Sequence, residues 1–126
     1  MNTKSVLQYI AGFIDGDGCI SIDYYHKGKT FSPRLHAYNA YKAPLSLMLK
    51  TFGVGYLRRF TKPNPEHKPS YRYAIHKQTA LLQVLRKLSP YLVLKRQHAH
   101  IVLKAIKENN MKKYYKILKQ INKRGV

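Results

Sequence analysis

Residues 10–20 read IAGFIDGDGCI, and they decide how the rest of the chain is read. The chain has only five acidic residues in 126. Two of them, Asp15 and Asp17, stand in this stretch, and a third, Asp23, follows shortly. Upstream, Val6, Leu7, Ile10, Phe13 and Ile14 recur at helical spacing, and Ser5-Val6-Leu7-Gln8 fits a capping box. The spacing predicts a helix from about Ser5 to Ile14 or Asp15, ended by Gly16 and Gly18. From Cys19 the period changes to two. Ile20, Ile22 and Tyr24 then face one way, and Ser21, Asp23, Tyr25 and Lys27 the other.

The two aspartates therefore fall at the carboxyl end of a helix. The dipole already presents partial negative charge there, and orphan carbonyls crowd the same end. A structural role would place lysine or arginine at this point, and the chain has both in plenty. Carboxylates beside free carbonyls make a hard, oxygen-rich site suited to Mg²⁺ or a similar ion. The competing reading is a plain turn, since aspartate and glycine both favour turns. The helix–turn–strand context and the scarcity of acids elsewhere favour the metal.

Working outward, Gly28-Lys29 and Ser32-Pro33 are expected to bracket a turn. A second alternating run follows it, with Arg34, His36 and Tyr38 opposite Leu35 and Ala37. Pro44 opens a second helix carrying Leu45, Met48, Leu49 and Phe52. Gly53-Val54-Gly55 stops that helix and starts a strand through Tyr56 to Phe60. Residues 62–69, with three prolines in eight residues, read as a hairpin tip returning along Ser70 to His76. A helix runs from about Gln78 to Leu88. Ser89-Pro90 predicts another that begins at once and continues to about Lys107, and Met111 to Asn122 forms the last. The order α-β-β-α-β-β-α-α-α implies an α+β fold over one domain, 1–126.

Charge is the strongest global property. Lys+Arg 24 against Asp+Glu 5 gives a net charge of +19 and a pI near 10.2, a field that favours polyanions. The basic residues spread along the whole chain among 11 tyrosines, which suits a folded nucleic-acid-binding surface better than a tethered arm. A hydrophobic content of 44% supports a globular core rather than a disordered polycation. The lone Cys19 allows no intrachain disulfide and implies a reducing, intracellular compartment, cytoplasm or organelle. No apolar run is long enough to cross a membrane. His98 and His100, two apart, lie on different sides of a helix, and with one cysteine they imply no structural zinc.

Ile10-Ala11-Gly12-Phe13-Ile14-Asp15-Gly16-Asp17-Gly18 resembles the motif of the LAGLIDADG homing endonuclease family. Gly53-Val54-Gly55-Tyr56 is similar to the family's link between second helix and third strand. Pro90 to Gln97 is similar to its segment around a basic active-site residue. The resemblance implies an αββαββα core with a curved antiparallel sheet, here with additional C-terminal helices. It implies a single-motif, homodimeric enzyme that makes double-strand breaks in DNA by divalent-metal-dependent phosphodiester hydrolysis, with Mg²⁺ or Mn²⁺. By the same resemblance Asp17 is a catalytic metal ligand, the Gly16 carbonyl assists it, and Lys95 is the basic residue beside the reaction. Asp15 is expected to cap or hydrogen-bond locally. A water-positioning residue at the end of the second strand falls on either Asn39 or Lys42.

The small residues Ala11, Gly12 and Gly16 would let two motif helices pack backbone to backbone across a dimer axis, the alternative being that they pack against the chain's own sheet. The outward strand positions Ser21, Asp23, Tyr25, Lys27, Arg34, His36, Tyr38, Arg58 and Arg72 form the expected DNA-reading face, lying in the major groove. Asp23 either accepts from a cytosine amino group or neutralises neighbouring lysines. The loop from Thr61 to Pro69 and the lysines Lys112, Lys113, Lys116 and Lys119 are expected to contact phosphates. Two other readings use the same surface: an RNA-binding intron maturase, and a DNA-binding protein that has lost cleavage.

Overall fold

The computed structural model describes residues 2–60 and 70–123, with Phe60 described in its backbone alone. In chain order the elements are α1 (Thr3–Asp17), β1 (Gly18–Tyr25), β2 (Thr30–Asn39), α2 (Lys42–Phe52), β3 (Tyr56–Phe60), β4 (Ser70–Ile75), α3 (Gln78–Leu88), α4 (Arg96–Glu108) and α5 (Met111–Lys123). The four strands make one antiparallel sheet in the order β1-β2-β4-β3. The helices pack on the face that carries Ile20, Ile22, Leu35, Ala37, Tyr73 and Ile75, all buried. The opposite face carries the polar set.

α1 differs from its expected limits at both ends. Asn2, not Ser5, is the cap, its Oδ1 accepting the Ser5 N–H at 2.8 Å. The helix also passes Gly16 and stops only at Asp17, so both aspartates lie on the helix and not on a turn. β1 follows without a loop, because Gly18 (φ −99°, ψ 175°) is already extended. A Cβ at Gly18 would lie 2.9 Å from the Ile14 Cα, so only glycine lets the strand leave this close to the helix.

Ser32-Pro33 is not part of a turn. Pro33 sits inside β2 opposite Ile22, and the turn is confined to residues 26–29, with Lys29 at φ 51°. β4 begins its pairing with β2 only at Leu35. Pro33 thus has a partner strand on one side only, the situation in which a strand tolerates a missing N–H.

After α2, Gly53 takes the left-handed conformation (φ 68°) and donates its N–H to the Leu49 carbonyl at 2.8 Å. This is the helix-ending role that glycine performs without strain. At Gly55 (φ 88°) a Cβ would come within 2.7 Å of the Ala74 carbonyl oxygen. The buried Tyr73 hydroxyl locks this corner by donating to the Val54 carbonyl at 2.6 Å.

The helix expected from Pro90 does not form there. Ser89–Tyr91 make a short 3₁₀ turn, Leu92 is extended (φ −75°, ψ 144°), and α4 starts at Arg96. Leu92 is fully buried, whereas Val93 and Leu94 are 76% and 71% exposed. The cause of this interruption lies at the end of α1.

Candidate active site and nucleic-acid interface

α1 brings Gly16 and Asp17 to the surface at its carboxyl end, both exposed. Asn39, the last residue of β2, stands beside them. Its Nδ2 donates to Asp17 Oδ2 at 3.3 Å, while its Oδ1 accepts the Tyr41 N–H at 2.8 Å. The second bond fixes the amide, and the fixed amide then orients the carboxylate. Lys42, the other candidate for this position, opens α2 and lines a cleft with Lys50, Arg59 and Tyr71. Of the two, the fold brings Asn39 to Asp17.

Lys95 reaches the same helix end from 80 residues away. Its Nζ donates to the carbonyls of Ile14 (3.0 Å) and Asp15 (2.7 Å), where the dipole favours a cation. Asp15 turns the other way. Its carboxylate accepts the N–H of Val93 at 2.7 Å and of Lys95 at 2.9 Å. It is thereby placed at the start of α4, the end that favours an anion. Asp15, expected to cap or hydrogen-bond locally, instead bonds amides 78 and 80 residues away in sequence. These bonds also explain why no helix forms at 92–95, since the amides of Val93 and Lys95 serve Asp15 and not a continuous helix.

The small residues on α1 divide into two groups. Ala11 is fully buried, so its expected place at a dimer seam is corrected: it belongs to the inward stripe Leu7, Ile10, Ala11, Ile14 at i, i+3, i+4 and i+7. Gly12 and Gly16, four apart, share the outward face, and a Cβ at either would meet nothing within 4 Å. Tyr9, 45% exposed, continues this face, and the backbone N–H of the exposed Val93 is tied to Asp15 at the end of the same helix.

On the sheet, strand register places Ser21, Asp23, Tyr25, Arg34, His36, Tyr38, Arg58 and Arg72 on the face away from the helices. Lys27 falls in the 26–29 turn beyond β1. These side chains form a network. Asp23 pairs with Arg34 (Nε to Oδ2, 3.1 Å) and accepts from the Ser21 hydroxyl at 3.1 Å, so it neutralises an arginine, not a lysine. The Arg34 guanidinium also donates to the Tyr25 hydroxyl. In register across three strands, Tyr38, Arg72 and Arg58 stand side by side. Arg72 lies over the Tyr38 ring at 5.6 Å, its Nε and Nη2 buried without a hydrogen-bond partner among the described residues.

Burial, then the Arg34 and Arg72 charges, hold His36 below its ordinary value, and the same causes in the same order lower His76. His76 was missed from sequence, as was Tyr56, whose hydroxyl meets His76 Nε2 at 2.6 Å and whose ring lies under Arg58 at 4.8 Å. Strand alternation carried two residues back from Arg58 would have found Tyr56. The α5 lysines Lys112, Lys113, Lys116 and Lys119 are exposed, with Lys113 and Lys119 over the rings of Tyr114 and Tyr115. The loop from Thr61 to Pro69 lies outside the described residues. His98 turns inward to Asn122 Oδ1 at 3.0 Å, and His100 is exposed. Among the described residues, no three His, Cys, Asp or Glu side chains converge, and no helix is long and apolar enough to cross a membrane.

Residues 10–124 match the family model described as LAGLIDADG endonuclease. Among solved structures, the homing endonuclease I-CvuI in complex with its target in the presence of Ca is 30% identical, with a TM-score of 0.68 over 87% of this chain and 71% of that one. I-CvuI in complex with the I-CreI target, in the presence of Mg and with the DNA not cleaved, is 29% identical (TM-score 0.71, 83% and 68% covered). An archaeal intron-encoded homing endonuclease complexed with DNA, I-Vdi141I, shares the fold at 18% identity (TM-score 0.67, 84% and 69% covered). Comparison with curated protein sequences gives no significant match.

Proposed function

The chain belongs to the LAGLIDADG endonuclease family, and from that premise we propose that it is a homodimeric, divalent-metal-dependent homing endonuclease that cuts both strands of a specific DNA site. The observation that carries this reading is the end of α1. There an exposed Asp17 is oriented by Asn39, next to Lys95 and to a helix face bare at Gly12 and Gly16.

One chain offers one oriented carboxylate. A second copy packed glycine to glycine brings a second Asp17 to the same axis, one for each strand of the duplex. Two carboxylates so placed repel unless cations lie between them. The donors suit a hard ion: the Asp17 carboxylate and the Gly16 carbonyl would hold it, with the scissile phosphate supplying further oxygens. Bound there, the cation supplies charge neutralisation and water activation for phosphodiester hydrolysis. Asn39 keeps the Asp17 carboxylate in one orientation. Lys95 adds a fixed positive charge where negative charge builds on the phosphate. The sheet face reads the major groove, with Arg58 as a guanine donor.

The test is incubation of purified protein and Mg²⁺ with a duplex made by joining the exons that flank its reading frame. Double-strand breaks with short 3′ overhangs are expected. Asp17→Asn should bind the same duplex and fail to cut it, and cutting by that variant removes Asp17 from its role. Rescue of intron splicing by a chain that never cuts DNA would replace this reading with the maturase.

A further inference from the structure

We propose that Asp15 is a positioning residue for Lys95, an assignment that rests on the endonuclease reading above. The two residues hold each other reciprocally. The Asp15 carboxylate accepts the Lys95 backbone N–H (2.9 Å), and the Asp15 carbonyl accepts the Lys95 ammonium (2.7 Å). A further bond from the ammonium to the Ile14 carbonyl (3.0 Å) and one from the Val93 N–H to Asp15 (2.7 Å) complete a latch between the end of α1 and the start of α4. Lysine has a flexible four-carbon stem, but here both its ends are tied. Its ammonium takes the carbonyls of Ile14 and Asp15, one residue short of Gly16.

Burial does not account for the shape of the 92–95 turn. It inserts Leu92 into the core but leaves Val93 and Leu94 in water. The helical spacing of the local sequence favours an uninterrupted helix, and the Asp15 carboxylate is the group that takes up the amides where that helix is broken. Electrostatics at both helix ends favour the arrangement, with the carboxylate at the α4 N-terminus and the ammonium at the α1 C-terminus. Asp15 thus acts on the reaction through the place from which Lys95 reaches, without needing to touch DNA or metal.

A double-mutant cycle decides the point. Single-turnover cleavage and duplex affinity are measured for the parent, Asp15→Asn, Lys95→Met and the double variant. Asp15→Asn should slow cleavage by about 10- to 100-fold, the range seen when a supporting partner is removed, with duplex affinity nearly unchanged. In the Lys95→Met background it should cost nothing further. Equal losses in both backgrounds, or a loss in affinity instead of rate, overturn the proposal. If Asp15→Asn fails to fold, Asp15→Ser keeps one oxygen acceptor and is read by the same cycle. If the parent cuts no duplex, the endonuclease reading fails by itself. The latch is then decided by amide hydrogen exchange at Val93 and Lys95 and by the nitrogen resonance of the Lys95 ammonium. Loss of protection and a shifted ammonium in Asp15→Asn uphold positioning, and unchanged signals overturn it.

Discussion

Gly12→Ala separates a dimer seam from an ordinary helix surface. Gly12 lies in the interior of α1, and within one chain a Cβ there meets nothing within 4 Å. In the isolated chain the substitution adds helix propensity alone, about 1 kcal/mol, or a rise of roughly 4 °C in Tm for a domain of this size. At a two-fold seam the same methyl enters twice, once from each copy, and overpacking costs about 1–3 kcal/mol per site. The dimer should therefore weaken by about 2–6 kcal/mol, which is roughly 30-fold to 10⁴-fold in its dissociation constant. Sedimentation equilibrium over a concentration series reads the association, and thermal melts at the dilute end read the chain alone. Cleavage at low protein concentration should fall with the dimer fraction and return as protein is added. A variant that melts higher yet dimerises like the parent would refute the seam. The control is Gly18→Ala, which should destabilise the single chain because its Cβ meets the Ile14 backbone at 2.9 Å.

Asn39→Ala should leave duplex affinity intact and lower the cleavage rate by about 10- to 100-fold, as loss of a ligand-orienting partner does; calorimetric titration of Mg²⁺ should show the accompanying loss of cation affinity. Asp23→Ala frees Arg34 and should relax discrimination at the base pair Arg34 reads by about 1–3 kcal/mol, visible in binding to a panel of single-base variants; a uniform loss across the panel would make Arg34 a phosphate contact. His36 and His76 are held below 6.5 in the folded chain by burial and by arginines, so the folded state binds fewer protons there than the unfolded one. Their contribution to stability is present above about pH 6.5 and is lost as pH falls through the lowered folded values. Thermal melts should show this acid sensitivity, and His36→Gln should reduce it. DNA on this face offsets the arginine field, so binding should take up protons, which calorimetry in buffers of different ionisation heat detects.

The element order, and α3 with its limits Gln78–Leu88, could be read from periodicity because periodicity records burial. Leu81, Leu85 and Leu88 face the core and are spaced by the same geometry that buries them. The outward strand positions were legible for the same reason. What could not be read was set by contacts distant in sequence. The break at 92–95 answers to Asp15, and no local propensity encodes a partner that far away. The run of α1 through Gly16 to Asp17 depends on the close approach of Gly18 to Ile14, whereas Gly16 read locally is a helix stop. Asn39 and Lys42 were indistinguishable until the sheet placed β2 beside α1. Ala11 was misassigned because small size was given more weight than helical phase, and phase puts it with Leu7, Ile10 and Ile14.

The few carboxylates explain why fold and partner are tied together. Among the described residues Asp15 serves the amides of Val93 and Lys95, Asp17 is held by Asn39, Asp23 pairs with Arg34, and Glu108 accepts from the Tyr114 hydroxyl at 2.6 Å. None of these contacts involves Arg58, Arg72 or the lysines of α5. The self-repulsion of a chain at +19 therefore stands against the folded state, and two buried nitrogens of Arg72 add a desolvation cost, having no hydrogen-bond partner among the described residues. A polyanion that binds only the folded chain relieves the repulsion, stabilising it by about 2.7 kcal/mol at a hundred times Kd. A fold built this way gives up some stability in isolation and regains it on DNA. An acidic residue added to quiet the reading face would stabilise the free chain and weaken the complex together. Asp17 escapes that conflict: it stands at the end of α1, off the sheet, where a cation can intervene between it and the phosphate.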